Sequence, residues 1–133
     1  DISGHWAENM INQFGQFGIG FEGGSFRPDE YITAGDFIKL TEAVVSGRGY
    51  AVPITESLGF GENGNDYDET ALITREKAVT AIIKCVGYSE VAELEGIFVT
   101  GFADEDQISP KCLGSCAIAK GMGIISGSGG INP

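Results

Sequence analysis

Trp6, Ala7, Met10, Ile11, Phe14 and Phe17 recur at the spacing of one helix face, with Glu8, Asn9, Asn12, Gln13 and Gln16 opposite, so the chain is expected to open with an amphipathic helix. Gly18, Gly20, Gly23 and Gly24 stop it. Pro28 biases Arg27 away from the helical region, so Phe26-Arg27-Pro28 reads as a short extended stretch. Thr33, followed by Asp36, has the pattern of a side-chain cap on a second helix whose inner face is Phe37, Leu40, Thr41 and Val44 and which Gly47 ends. The alternation returns with Thr74 as cap, Ala78, Val79, Ile82, Ile83 and Val86 inward, and Gly87 as the stop. Ser109-Pro110 is a cap followed by the residue favoured at the first helical position, leading to Cys112, Cys116, Ala119 and Met122. In between, Gly47, Gly49 and Pro53 leave room for a turn or two of helix before position 59, residues 59–68 form a glycine- and acid-rich loop, and 89–101 carries a short helix around Val91 and Leu94.

This order repeats. Gly18, Gly20, Gly23, Phe26, Tyr31, Ile32 and Thr33 are matched 41 residues on by Gly59, Gly61, Gly64, Tyr67, Leu72, Ile73 and Thr74. A third copy lies 105 residues on, where Gly18, Ile19 and Pro28 become Gly123, Ile124 and Pro133, and Ala7, Met10, Ile11 and Phe17 become Cys112, Ser115, Cys116 and Met122. The expected organisation is a single domain, residues 1–133, of tandem helix-loop-helix repeats: 1–47, then 48–98 with a degenerate first helix, then 99–133 as the first half of a third. Unequal offsets argue against a tightly stacked solenoid and for separately decorated prongs, so the fold expected is an all-α pronged helical bundle with short extended segments in its glycine-rich loops.

Charge narrows the partners. Nineteen acidic residues against eight basic ones give a net charge of −11, which repels phosphate backbones and anionic lipid surfaces, so no nucleic acid is expected. No apolar run approaches the roughly 20 residues of a membrane span, and no membrane insertion is expected. Arg27, Lys39, Arg48, Arg75, Lys77, Lys84, Lys111 and Lys120 form no cluster, so an anion has to be held by one or two placed cations. Asp1 is a poor start for a native chain, and the sequence reads as an excised fragment whose targeting signal is out of view.

The run Asp1-Ile2-Ser3-Gly4-His5-Trp6-Ala7, then Gly18-Ile19, Phe26-Arg27-Pro28-Asp29 and Ile32-Thr33, resembles the S-layer homology module; Ile73-Thr74-Arg75-Glu76-Lys77-Ala78, Phe102-Ala103-Asp104 and Gly123-Ile124-Ile125-Ser126-Gly127 agree with it. The resemblance implies about two and a half tandem modules of a three-pronged helical spindle that anchors surface proteins or extracellular enzymes noncovalently to the bacterial cell wall. It implies an extracellular, cell-surface location, and as ligand a secondary cell-wall polysaccharide whose terminal sugar carries a pyruvate ketal. The contact residues it implies are Arg75 and Thr74 at a helix start, Ser126 and Gly127 in a glycine loop, and Arg27 and Trp6 in the first module. Arg75 just after cap Thr74 could fork onto a carboxylate at the positive end of a helix, a pair worth about 1.5–3 kcal/mol; the bland alternative is a surface ion pair. Arg27 reads more readily as a solvated side chain, and Trp6 as packing in the core or between prongs. The first module has Ala34 where the family has arginine, and Lys111 stands where it often has tryptophan.

Other chemistry is thin. Cys112 and Cys116 lie one turn apart on the inner face and read as small core residues, with Cys85 similarly placed, so no metal is expected. His5 is the only histidine and reads as an aid to starting the first helix. The acids at 62–69 and 104–106 lack the glycine and closing glutamate of a calcium loop. No carboxylate pair has one member fixed as acid and the other as base, so no enzyme and no cofactor are expected. The rival reading is a structural assembly module that binds another protein or its own copies.

Overall fold

A computed structural model of the chain describes residues 1–45 and 68–127. The expectations for Gly47 as a helix stop, for a helix before position 59 and for the loop from 59 to 67 lie outside the described residues. What is described is helical, with one isolated antiparallel bridge between Thr33 and Leu72. It falls into two compact units, residues 1–45 with Asp68–Ile73, and residues 74–127.

The first unit holds α1 (Glu8–Gln16) and α2 (Ala34–Val45). Before α1, His5 Nδ1 accepts from the Ala7 N–H at 3.1 Å and its Nε2 meets Asp29 at 3.2 Å, while the Gly4 N–H donates to Glu8 at 2.8 Å. These bonds occupy donors that a helix start leaves without partners. At the far end the Gly18 N–H returns to Gly15 O at 3.0 Å and the Ile19 N–H to Phe14 O at 3.1 Å, with Gly18 at φ 73°. That is the Schellman arrangement, and only glycine adopts its left-handed corner freely.

Ile32 and Thr33 then pair with Ile73 and Leu72, of which Ile73 is the sequence equivalent of Ile32. The Ile73 N–H donates to Ile32 O at 3.1 Å and the Ala34 N–H to Ala71 O at 2.8 Å. Thr33 Oγ1 accepts from the Asp36 N–H at 3.2 Å, so the expected cap is present. The inner face of α2 is shifted from the expected one: Ala34, Phe37 and Ile38 are buried, while Leu40, Thr41 and Val44 are half-buried.

Two expectations in this unit are corrected. Arg27 is left-handed at φ 54° rather than extended, because the Asp1 carboxylate takes the N–H groups of Phe26 (3.2 Å) and Arg27 (2.6 Å) and folds the chain there. A non-glycine residue in that region costs about 1–3 kcal/mol, which such charge-assisted bonds offset. The apolar stripe of the first helix is not buried: no residue of α1 is buried, and Trp6, Met10 and Phe17 are 86%, 57% and 73% exposed. Periodicity says which face favours burial, but not that a surface exists to meet it.

The second unit holds α3 (Arg75–Ile83), a π-type turn at Lys84–Tyr88 broken by Gly87 at φ 105°, the single turn α4 (Ser89–Ala92), a 3-10 turn at Glu105–Gln107 and α5 (Pro110–Gly121). Thr74 caps α3, accepting from the Lys77 N–H at 3.4 Å. Val79 and Ile83 are buried as expected; Ala78 and Ile82 are half-buried and Val86 is exposed. Ser109 does not cap α5 with its side chain. Instead the Glu76 carboxylate of α3 accepts both the Ser109 N–H and its Oγ–H at 2.7 Å, so one helix supplies the cap of the other. The α5 C-terminus repeats the corner of α1, with Gly123 N–H on Lys120 O at 3.0 Å and Ile124 N–H on Ala119 O at 2.9 Å.

The core of this unit is Val79, Ile83, Ala92, Ile108, Cys112, Cys116 and Ala119, flanked by Phe102, Leu113, Ile118 and Ile125. Met122, expected inward, is exposed. Small residues on α5 let its neighbours in close. At Gly114 a methyl group would overlap the Ala92 carbonyl and sit 2.9 Å from Phe98 Cε2. Among the described residues no helix is long and apolar enough to cross a membrane.

Alanine is a better helix former than glycine, so on propensity alone Gly114→Ala stabilises by up to about 1 kcal/mol. The steric term opposes it through a backbone carbonyl that has no rotamer to change. Gly114→Ala is therefore expected to lower the unfolding free energy by about 1–3 kcal/mol in denaturant titration; an unchanged or raised midpoint would show that the α4 turn is not seated on α5 as described.

Candidate functional site

Thr74 fixes the start of α3, and that fixes Arg75 on its first turn. From there Arg75 Nη2 donates to the Ser126 carbonyl at 3.1 Å. Ser126 is brought there by the corner at Gly123, which reverses the chain after α5 and lays Ile125 on the core. Thr74, Arg75, Ser126 and Gly127 thus come together in the second unit. Ser126 contributes its main-chain carbonyl to this contact. Gly127 lies against Phe102, where an added Cβ would be 3.5 Å from the ring.

Among the described residues no carboxylate lies within ion-pair distance of Arg75. A guanidinium has five N–H donors in a fixed fork, and one bond to a neutral carbonyl leaves its charge and most donors uncommitted. The surface ion pair weighed for Arg75 is thus absent among the described residues.

Phe102 also carries the Lys120 ammonium, 4.7 Å from its ring centre, and Lys120 donates to the Thr100 carbonyl. One oxygen of Glu105 accepts from the Thr100 N–H (2.6 Å), the Thr100 hydroxyl (2.7 Å) and the Gly101 N–H (3.0 Å). The Thr100 hydroxyl first, then these amides and the Lys120 charge, hold the Glu105 carboxyl below its ordinary pKa of 4.5. Neither Lys120 nor Glu105 was legible as a working residue in sequence. Their partner Thr100 sits 20 and 5 positions away, and the Phe102-Ala103-Asp104 motif between them names neither residue.

Arg27 and Trp6 belong to the first unit. Arg27 lines a cleft of about 380 Å³ with Phe21, Phe26, Tyr31, Thr33 and Asp36. Its guanidinium meets Glu30 at 3.3 Å, so part of its charge is spent locally. Phe21 and Phe26 stack at 5.3 Å between ring centres, and Tyr31 is 88% exposed at the rim. The aromatic surface here was not foreseen. Trp6 is outside this lining and packs in no core, its ring lying 5.4 Å from that of His5.

Cys85, Cys112 and Cys116 are buried thiols. Burial raises all three pKa values; Cys116, further opposed by Cys112 and Glu76, is pushed up to about 12. These are core sulfurs and poor nucleophiles. Among the described residues no group of three or more His, Cys, Asp or Glu is placed to hold a metal ion. Comparison of the chain with protein-family models, with curated proteins and with solved structures finds no match.

Native protein at pH 8 is expected to resist a thiol-specific disulfide reagent that titrates all three cysteines once guanidinium unfolds the chain. The same burial has a pH signature. The folded state keeps the Cys116 proton to about pH 12 and the unfolded state releases it near 9.0, so stability falls as pH rises between those values, by about 1.4 kcal/mol per unit for that thiol. Cys116→Ala removes this share. Identical alkaline slopes in the two proteins would contradict the assignment.

Proposed function

We propose that the chain is a noncovalent anchor that binds an anionic cell-wall polysaccharide and so holds a surface protein or extracellular enzyme at the bacterial cell wall, without catalysing a reaction. The secondary wall polymer with a pyruvylated terminal sugar is the ligand this reading favours. The observation that carries it is Arg75: a guanidinium on the first turn of a capped helix, committed to no carboxylate among the described residues in a chain with nineteen acids.

The chemistry follows from that placement. A ketal carboxylate can take two parallel N–H bonds from the fork while the open N–H groups of the α3 start add a field of the same sign. The −11 background disfavours loose ion attraction, so selectivity comes from geometry at one placed cation. Within the first unit, the cleft beside Arg27 offers an aromatic surface on which the C–H face of a sugar ring can rest, with Thr33 and Asp36 for its hydroxyls.

A second reading, self-association, is favoured by the exposed α1 stripe of Trp6, Met10 and Phe17.

The test is co-sedimentation with purified cell-wall sacculi before and after chemical removal of the secondary polysaccharide. Binding is expected to vanish with the polysaccharide, to be competed by a pyruvylated sugar, and to weaken roughly ten- to a hundredfold in Arg75→Ala. Retention by stripped sacculi, or an Arg75→Ala protein that binds as well as the parent, would sink the glycan reading. Association that tracks protein concentration and disappears in Met10→Lys would establish the second.

A further inference from the structure

The segment Ile97-Phe98-Val99-Thr100 alternates in exposure with a period of two: Ile97 and Val99 are 62% and 77% exposed, Phe98 is half-buried and Thr100 is buried. That is the period of a strand, in residue types that favour strands. Among the described residues no strand lies beside it, and the main-chain groups of Ile97, Phe98 and Val99 make no hydrogen bond there.

Both ends of the segment are fixed. The Phe98 ring is held over Gly114 on α5. After it, Thr100 and Gly101 are tied to Glu105, and Lys120 holds the Thr100 carbonyl. Phe98 also lines a cleft of about 740 Å³, together with Leu94, Leu113, Lys84, Lys111 and Glu95. A segment with strand-like alternation and main-chain groups unbonded among the described residues, beside a side-chain cleft, has the two elements by which extended peptides are taken up, main-chain bonds for affinity and a pocket for alternate side chains.

Charge selects the partner. Exposed Glu90 and Glu95 precede the segment and Asp106 follows it, none with an ion-pair partner among the described residues. Glu93 is spent on Lys84 at 3.2 Å, leaving Lys111 as the one cation lining the cleft without an ion pair among them. A second copy laid antiparallel on residues 97–99 would set its Glu90 and Glu95 flank against the Asp106 flank of the other chain, Glu90 opposite Asp106 in register, and like charges there oppose pairing. We propose that residues 97–99 accept, as an added strand, an extended peptide with alternating apolar side chains and Lys or Arg at both flanks, one apolar side chain entering the Phe98 cleft. This proposal does not rest on the glycan reading.

The probe is the synthetic octapeptide Lys-Lys-Val-Thr-Val-Thr-Lys-Lys, with Glu-Glu-Val-Thr-Val-Thr-Glu-Glu as its charge-reversed control, read by amide hydrogen exchange of the intact chain. The basic peptide at saturation is expected to slow alternate amides within 97–99 roughly tenfold or more, and to lose this effect at high salt. The acidic peptide is expected to have none. Val99→Lys, checked for an unchanged melting temperature, is expected to bind the basic peptide at least about tenfold more weakly, since it sets a cation on the edge. No protection by the basic peptide, equal protection by both peptides, or protection that grows with protein concentration alone would each overturn the proposal.

Discussion

The second unit depends on a place where a side chain is missing. At Gly114 the Ala92 carbonyl and the Phe98 ring come against α5 at distances no Cβ permits. Seating the α4 turn there lets Ala92 join Val79, Ile83, Cys112 and Cys116 in one core. The route of the chain after α4 is set by the same contact, because Phe98 is the residue that turns inward. Packing at near-crystalline density makes such a contact all-or-none: a methylene too many shifts a whole turn rather than one atom.

Acids do much of the backbone's work in this chain. Asp1, Glu8, Asp68, Glu76 and Glu105 each accept at least one main-chain N–H, at Phe26 and Arg27, Gly4, Thr70, Ser109, and Thr100 and Gly101 respectively. A composition that looks like surface charge is in part a set of caps. For Asp68 the Thr70 hydroxyl and amide hold the carboxyl below its ordinary value, as Thr100 does for Glu105. The basic residues are correspondingly sparse, and those placed with care, Arg75 on Ser126 and Lys120 on Phe102, stand out against that field.

What sequence made legible was local. Thr33 and Thr74 act within three residues, and the Gly-Ile corners after α1 and α5 close bonds that span five. Those signals are written where they operate, so the helical class and its punctuation followed from them. Arg27 was misjudged because its conformation is set by Asp1, 26 residues away. Ser109 is the N-cap residue of α5 with Pro110 after it, as expected, but its side chain bonds an acceptor 33 residues away on another helix, which no local pattern announces. The stripe on α1 has the right period, but a period carries no information about a partner surface. At the candidate site the resemblance named Arg75 and Ser126 together, whereas Phe102, Lys120 and Glu105 are assembled only by the fold.

The chain ahead of α1 and the start of α5 are tied down differently. Gly4, at the head of α1, has its N–H satisfied by Glu8 of the same helix; Ser109, its counterpart 105 positions on, is satisfied by Glu76 of α3. A helix nucleus is costly to form, and a cap lowers that cost only once it is in place. The bond at Gly4 closes within one short stretch of chain, whereas the bonds at Ser109 exist only where α3 lies beside α5. The start of α5 is therefore a tertiary feature, and a change that loosens α3 from α5 removes the cap of α5 along with the packing between them.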